Sequence, residues 1–206
     1  RLAVANTLKR LESGMADIEY LTSKLQRIDA QVERAARLVE HMRAYGRRSE
    51  VERQAFAAWV AVDGAVALLA EGLRGKGVAL QIEEPDDCPE VLGHEDQLEQ
   101  VLINLMVNAR DALLERQVNR PLIQVSQRIE DGRLCLRVQD NAGGIDPRLL
   151  DRIFEPFFTT KPAGVGTGLG LSVSHGIVQA MGGRLEAMNN SDGACFQVVL
   201  PVYSIS

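Results

Sequence analysis

The chain of 206 residues lacks any run of eighteen apolar residues, so no membrane-spanning helix can be read from it. Its three cysteines, Cys88, Cys135 and Cys195, are far apart and odd in number. That pattern gives neither a disulfide framework nor a zinc site, and it suggests small buried or half-buried residues in a reducing compartment. There is no excess of positive charge. The net charge of −5 argues against a general nucleic-acid binder. No signal peptide, internal repeat or low-complexity tract is visible, and the first residue is Arg1 rather than methionine, which reads as a fragment of a longer protein. The apolar and charged fractions are those of a soluble globular protein. The length allows one ordinary domain plus a smaller module.

What the chain has is an ordered run from Val138 to Leu171. It reads V-Q-D-N-A-G-G-I, then R-I-F-E-P-F-F-T-T-K, then G-V-G-T-G-L-G-L. An acidic residue, Asp140, ends a strand and is followed by Gly143 and Gly144. An aromatic cluster comes next, and then Gly164, Gly166, Gly168 and Gly170 at alternate positions. A packed core does not need this order. A nucleotide pocket does: a carboxylate to read a base, glycines to let backbone approach a phosphate, and a mobile cover. A single glycine-rich loop is a weak signal; here three signals follow one another.

A fourth lies upstream, in H-E-D-Q-L-E-Q-V-L-I-N-L-M-V-N-A-R-D-A-L, His94 to Leu113. Leu98, Val101, Leu102, Leu105, Ala109 and Ala112 recur at three- and four-residue steps, which predicts an amphipathic helix. Asn104, Asn108 and Asp111 fall on a second line and share one face. Asn is a mediocre helix former because its amide competes for backbone hydrogen bonds. The bland reading is a solvated helix face. Beside a phosphate-type glycine loop the sharper reading gains: a neutral side-chain oxygen on a rigid helix can hold Mg²⁺, which prefers oxygen ligands.

Asn104 to Ala112, Asp140 to Ile145, Phe154 to Lys161 and Gly164 to Leu171 together resemble the four sequence boxes of the sensor histidine kinase ATP-binding domain. That domain belongs to the wider group shared with gyrase, Hsp90 and MutL. The resemblance covers roughly residues 50–203 and ends in G-A-C-F-Q-V-V-L-P, which is similar to the family's last strand. It implies a Bergerat-type sandwich of one mixed sheet and a helical layer, with ATP between them under a flexible lid.

Carried over residue by residue, the resemblance gives Asn108 as the Mg²⁺-binding asparagine and Asp140 as the acceptor for the adenine amino group. Gly144 and Ile145 match the turn that closes on adenine. Lys161 stands where a basic residue approaches the phosphates. Gly166, Thr167, Gly168 and Gly170 match the segment whose backbone borders the triphosphate. Leu169 and Leu171 lead into the helix after the lid, whose amino end favours anions. Phe154, Phe157 and Phe158 match the aromatic box that anchors the lid.

Two departures stand out. Ala142 occupies a position where many relatives have glycine, which stiffens the turn. Asp111, still a member of the expected nucleotide site, stands where one branch has lysine. A carboxylate there cannot hold a phosphate directly, so added positive charge falls to Arg110, unless Arg110 is a plain surface residue. Asn104 bears on reaction type. ATPase relatives carry a glutamate one turn before the Mg²⁺ asparagine, as general base for water. An amide cannot take a proton near neutral pH, so the expected chemistry is phosphoryl transfer, with Asn104, Asn108 and Lys161 as its residues. The alternative is that Asn104 merely hydrogen-bonds within the helix cluster.

Residues 17–47 are almost free of Gly and Pro, and Ile18, Leu21, Leu25, Ile28, Val32, Ala35, Val39 and Met42 form a heptad seam. A helix of about thirty residues is roughly 45 Å long and needs a partner. Val4, Leu8, Leu11 and Met15 form a shorter seam in a different register, with Ser13-Gly14 near the change. A hairpin is the preferred reading, a continuous helix with a register slip the other. The segment resembles the dimerisation and histidine-phosphotransfer hairpin of the same kinases, and two such hairpins would pair as a dimeric four-helix bundle. The family's phosphoacceptor histidine is not found before Gly14; if residues 2–11 are the later part of helix one, it lies upstream of Arg1. His41, His94 and His175 are read as surface or capping residues.

Gly46 to Glu50 reads as a polar hinge, Val60 to Leu73 as a helix, and Val78 to Ile82 as a strand. Ile123–Ile129 and Leu134–Asp140 alternate around Asp131-Gly132 as a hairpin, and Arg184–Met188 with Cys195–Leu200 form a last pair. The fold class expected is α+β: a helical hairpin over residues 1–48, then an α/β sandwich over 49–206. The function expected is that of a sensor histidine kinase catalytic region. It would bind ATP and Mg²⁺, phosphorylate a histidine for relay to a response-regulator receiver domain, form a homodimer, work in the cytoplasm, and touch neither nucleic acid nor membrane. The alternative is a nucleotide-binding scaffold that dimerises with other kinases without transferring phosphate. An ATP-hydrolysing clamp of the gyrase type is disfavoured by Asn104.

Overall fold

The structure, a computed structural model, describes residues 18–25, 52–162 and 166–204. The chain divides into two compact units, Arg1–Arg47 and Arg48–Ser206. In the first, residues 18–25 are helical, as the heptad pattern there predicts. The rest of the hairpin expectation, the Gly46–Glu50 hinge and His41 lie outside the described residues.

The second unit runs β1 (Gln54–Ala57), α1 (Ala58–Gly75), β2 (Ala79–Glu83), β3 (Glu90–Gly93), α2 (Glu95–Glu115), β4 (Leu122–Glu130) and β5 (Arg133–Asp140). A short 3-10 turn (Pro147–Leu149), α3 (Gly170–Ala180), β6 (Arg184–Asn189) and β7 (Ala194–Pro201) complete it. Five strands form one sheet in the order β2-β4-β5-β7-β6. β2 runs parallel to β4 and every other neighbour is antiparallel, so the sheet is mixed. β5 sits at the centre, and its last residue is Asp140.

The alternation in the strands decides which face is dry. Ile123 and Val125 of β4, Leu134, Leu136 and Val138 of β5, and Val198 and Leu200 of β7 are paired across the ladders and buried. α2 lays Leu98, Val101, Leu102, Leu105, Met106, Ala109 and Leu113 against this layer, all at three- and four-residue steps or adjacent to one. Each fully buried leucine of this kind contributes about 1.5–3 kcal/mol from the area it removes from water. α1 packs on α2, buries the small residues Ala58, Ala61 and Ala65, and sets Gly64 against the Glu99 side chain of α2. Glu95 and Asp96 in the first turn of α2 suit the positive end of its dipole. Gln117, at φ 51°, turns the chain out of the helix just after its end.

The two-residue loop between β4 and β5 has Asp131 at φ 50° and Gly132 at φ 71°. Both are left-handed, as a two-residue hairpin turn with the sheet's own twist requires. A two-stranded antiparallel sheet of β1 and β3 has no counterpart in the sequence reading. Each strand is four residues long, too short for its alternation to be distinguished from a loop. The helix read as Val60–Leu73 starts two residues earlier and ends two later, a shift ordinary for helix ends.

Leu105 is fully buried between the two asparagines of α2. Leu105→Ala is expected to lower unfolding free energy by about 2–5 kcal/mol, measured by urea denaturation with an unchanged m-value.

Candidate nucleotide site

Asp140 is 7% exposed at the end of the central strand. Its Oδ1 accepts hydrogen bonds from the backbone N–H of Ala142 at 2.8 Å and of Ala194 at 3.2 Å. No described residue donates to Oδ2. Burial pushes the Asp140 carboxyl above its usual range, and the two backbone hydrogen bonds only partly oppose that. One oxygen thus fixes the carboxylate while the other keeps its acceptor capacity for a ligand.

The turn after Asp140 is held on several sides. Gly143 and Gly144 both lie at φ 81°, a conformation that favours glycine. Gly143 donates its N–H to the Asp192 carbonyl at 2.8 Å. The Arg116 guanidinium donates to the Ala142 carbonyl. Asn141 accepts from the Leu122 N–H at 2.9 Å and donates to the Arg120 carbonyl at 2.8 Å. The Ala142 methyl is buried, and both of its backbone polar groups are occupied, so the extra carbon relative to glycine sits inside a fixed turn.

On α2 the polar line is real but its three members have different surroundings. Asn104 donates from Nδ2 to the Ser174 hydroxyl oxygen of α3 at 3.0 Å, and Ser174 is 2% exposed. The Asn104 carbonyl oxygen lies so close to Gly170 that a Cβ there would collide with it. Glycine at this position lets the Asn104 side chain lie directly against the start of α3. Asn108, one turn on, is half-buried, and no described residue hydrogen-bonds its amide. Asp111 is occupied at both oxygens: Arg110 donates to Oδ1 from Nε at 2.9 Å and Nη2 at 2.6 Å, and Lys161 donates to Oδ2 at 2.7 Å. Burial alone would raise the Asp111 carboxyl; the hydrogen bonds and charges of Lys161 and Arg110 outweigh it and hold the group below the usual carboxylate range.

The remaining candidates lie on the segment that leads into α3 and on α3's first turn. Phe154 stacks on His175 of α3 with ring centroids 5.3 Å apart, and the Arg152 guanidinium lies over Phe158 at 4.9 Å. Phe157 is 73% exposed at φ 67°, and Gly168 packs against its backbone. Thr159 accepts from the Lys161 N–H at 3.1 Å and touches Gly166. Thr167 accepts weakly from the Leu169 N–H at 3.4 Å, and the Leu169 carbonyl accepts from the Ser172 hydroxyl at 2.9 Å. No side chain caps the amino end of α3 and its first turn has no acidic residue, so its N–H groups are available to an anion. Leu171 is half-buried within that turn. Gly164 lies outside the described residues.

Residues 93–204 match the family described as histidine kinase-, DNA gyrase B-, and HSP90-like ATPase. The chain belongs to this family. It is 50% identical to the two-component sensor PprA of Pseudomonas aeruginosa over 208 residues, covering 98% of this chain and 22% of that protein. It is 33% identical to the sensor protein FixL of Bradyrhizobium diazoefficiens, covering 97% of this chain and 40% of that protein. Among solved structures, the catalytic domain of histidine kinase ThkA superposes with a TM-score of 0.64 at 27% identity, covering 74% of this chain and 97% of that one. The chain therefore spans a fifth to two-fifths of these curated relatives, and almost the whole of that catalytic domain.

As a member of the kinase and ATPase family, the chain brings together more than its sequence boxes show. Lys161 and Asp111 are fifty positions apart and nothing in their spacing announces that they pair. Nothing local in the sequence singles out Ser174 or Arg116. The structure makes the first the partner of Asn104 and the second a hydrogen-bond donor to the turn beside Asp140.

Two outcomes follow from the shifted carboxyls. A carboxyl raised in the folded state contributes stability below its unfolded value of about 3.9 and loses it as pH rises through the folded value. Burying Asp140 as a carboxylate is thus unfavourable at pH 7. Asp140→Asn, whose amide oxygen can still accept from Ala142 and Ala194, is expected to raise the melting temperature at pH 7, with the gain shrinking towards pH 4. Asp111 has the opposite sign: its contribution is present above about pH 3.9 and is lost as pH falls through the lowered folded value. Asp111→Asn is expected to cost roughly 1 kcal/mol or less at pH 7, as a half-exposed ion pair does. That difference should disappear in acid. Thermal melts across pH 2.5–8 measure both.

Proposed function

We propose that this chain is the ATP-binding catalytic region of a sensor histidine kinase, arranged as a helical segment over residues 1–48 and a catalytic domain over 49–206. The observation that carries the reading is Asp140: a buried carboxylate with one oxygen locked by backbone and the other left to accept from a ligand, in a chain of this family. That free oxygen suits the exocyclic amino group of adenine. The turn from Ala142 to Ile145 would flank the base, and the uncapped amino end of α3, with Gly166, Thr167, Gly168, Leu169 and Gly170, would border the phosphates.

The Asn108 amide suits Mg²⁺. Its oxygen is neutral, sits on a rigid helix and accepts from no described residue. Among the described residues no group of three His, Cys, Asp or Glu could form an all-protein metal cage. Mg²⁺ is commonly held by one or two protein oxygens together with phosphates and water. When bound, it would offset negative charge on the phosphate oxygens.

The chemistry proposed is transfer rather than hydrolysis. Water attack needs a general base near the phosphate, and the α2 position for one is Asn104, whose amide is tied to Ser174. In the transfer step, a neutral imidazole nitrogen attacks the γ-phosphorus, an N–P bond forms, the bond to the bridging oxygen breaks, and ADP leaves. Neither described histidine fits the nucleophile: His175 is stacked on Phe154 and His94 stands at the amino end of α2. The acceptor is proposed to lie on the helical hairpin that precedes the catalytic domain, paired in a homodimer. The phosphoryl group would pass on to an aspartate of a response regulator. ThkA has been solved with its response regulator TrrA, a likeness at 24% identity and TM-score 0.74 that speaks here for the fold. Among the described residues no helix is long and apolar enough to cross a membrane. The three cysteines are free, which suits the cytoplasmic setting proposed.

The test is to incubate the chain with γ-labelled ATP and a longer protein that carries the upstream helix. Acid-labile, base-stable label on the longer protein is the expected result. Asn108→Ala should lower the labelling rate at least ~100-fold, because metal-assisted charge stabilisation is worth several kcal/mol. ATP turnover to ADP with no phosphoprotein would overturn the reading in favour of a hydrolase, and nucleotide binding without either would favour the scaffold.

A further inference from the structure

We infer that Asn189 is a positioning residue for the adenine side of the site, and that the β6–β7 corner to which it belongs is the template on which that turn is set. This rests on the nucleotide reading above and goes beyond its assigned residues. Asn189 ends β6, the edge strand of the sheet. Its Oδ1 accepts from the Ile145 N–H at 2.7 Å, and its Nδ2 donates to the Ile145 carbonyl at 2.6 Å. A backbone N–H and C=O on the same residue can be matched in one sense only, so the amide orientation is fixed by its partner. The two bonds reproduce a strand pairing where no strand exists.

The corner reaches the turn at three successive points. Ala194, the register partner of Asn189 across β6 and β7, donates its N–H to Asp140 Oδ1 at 3.2 Å. The Asp192 carbonyl accepts from the Gly143 N–H at 2.8 Å. Asn189 then takes Ile145. The loop between the strands is itself stiffened, because Asn190 Oδ1 accepts from the N–H groups of Asp192 at 2.9 Å and Gly193 at 2.6 Å. One strand pair therefore sets the position of the base-reading carboxylate and of the turn that would flank the base. A Cβ on Gly144 would come within 2.7 Å of Asn189 Oδ1, so the clamp's close approach adds to the positive φ in favouring glycine there.

Both polar groups of Ile145 are occupied by Asn189. The turn then offers a purine its hydrocarbon surface at this residue, and leaves hydrogen-bond selection to Asp140. Asn189 is exposed, so its bonds compete with water and add little to global stability. Their effect falls on where the turn sits. Two neutral hydrogen bonds of this kind correspond to about a tenfold change in affinity.

The measurement is titration calorimetry of wild type, Asn189→Ala and Asn189→Asp with ATP·Mg²⁺, ADP and inorganic tripolyphosphate·Mg²⁺. Amide hydrogen exchange at Ile145 is read in parallel. Asn189→Ala should weaken ATP and ADP about tenfold, leave tripolyphosphate unchanged, and speed exchange at Ile145. Asn189→Asp keeps the acceptor for the Ile145 N–H but cannot donate to its carbonyl. It should fold like wild type and also lose affinity for ATP and ADP selectively. In the full-length kinase, the KM for ATP should rise about tenfold with kcat nearly unchanged. Equal ATP affinity in all three proteins would overturn the clamp while leaving the nucleotide reading intact. So would loss of ATP and tripolyphosphate in equal measure, which marks general damage. Wild-type protein that binds no adenine nucleotide would overturn the reading beneath it.

Discussion

The site depends on burying a carboxylate at the end of the central strand and fixing one of its oxygens with backbone. Asp140 sits where the dry face of the sheet gives way to the turn, and Ala142 and Ala194 hold Oδ1 from two different elements. A carboxylate in such a place raises its own pKa and opposes folding. A structure that keeps it there gains selectivity at the expense of stability, since a fixed acceptor in low dielectric distinguishes ligands that donate from those that do not. The rest of the second unit can be understood as what makes that placement possible: the mixed sheet puts β5 at the centre, and β7 brings the Ala194 N–H alongside.

The opposite wall is built differently. α2 carries its polar line on the side away from its leucines, so helix packing fixes the positions of Asn104, Asn108 and Asp111 without using their side chains. Three fates follow: Asn104 is spent on Ser174, Asp111 on Lys161 and Arg110, and Asn108 is left open. The Lys161–Asp111 bond also joins α2 to the segment after the aromatic cluster. In this structure the lysine expected to approach a phosphate has its charge matched by the carboxylate that stands where one branch of the family has lysine. The pair therefore places Asp111 directly beside the lysine expected to approach the phosphates.

The sequence made some of this legible for identifiable reasons. The α2 leucines recur at helical spacing over twenty-one residues, and β4 and β5 alternate around an Asp-Gly turn, so their existence and type could be read locally. β1 and β3 could not, because four residues carry too little pattern. The Bergerat-type assignment came from resemblance of the four boxes; periodicity alone reaches only α+β. Candidate site residues with local signatures, Asp140 before a glycine turn and the paired asparagines, were named from the sequence. Asn189, Arg116, Asn141 and Ser174 were not, since each acts through a contact nineteen to seventy residues away that the chain's own order does not encode.

The most direct measurement of the central claim compares ATP with inosine triphosphate, which carries a carbonyl oxygen in place of the amino group. If Asp140 Oδ2 accepts from the adenine amino group, the chain binds ATP·Mg²⁺ at least about 100-fold more tightly, because the inosine oxygen faces a buried acceptor with no donor between them. Equal affinity for the two nucleotides would contradict the account.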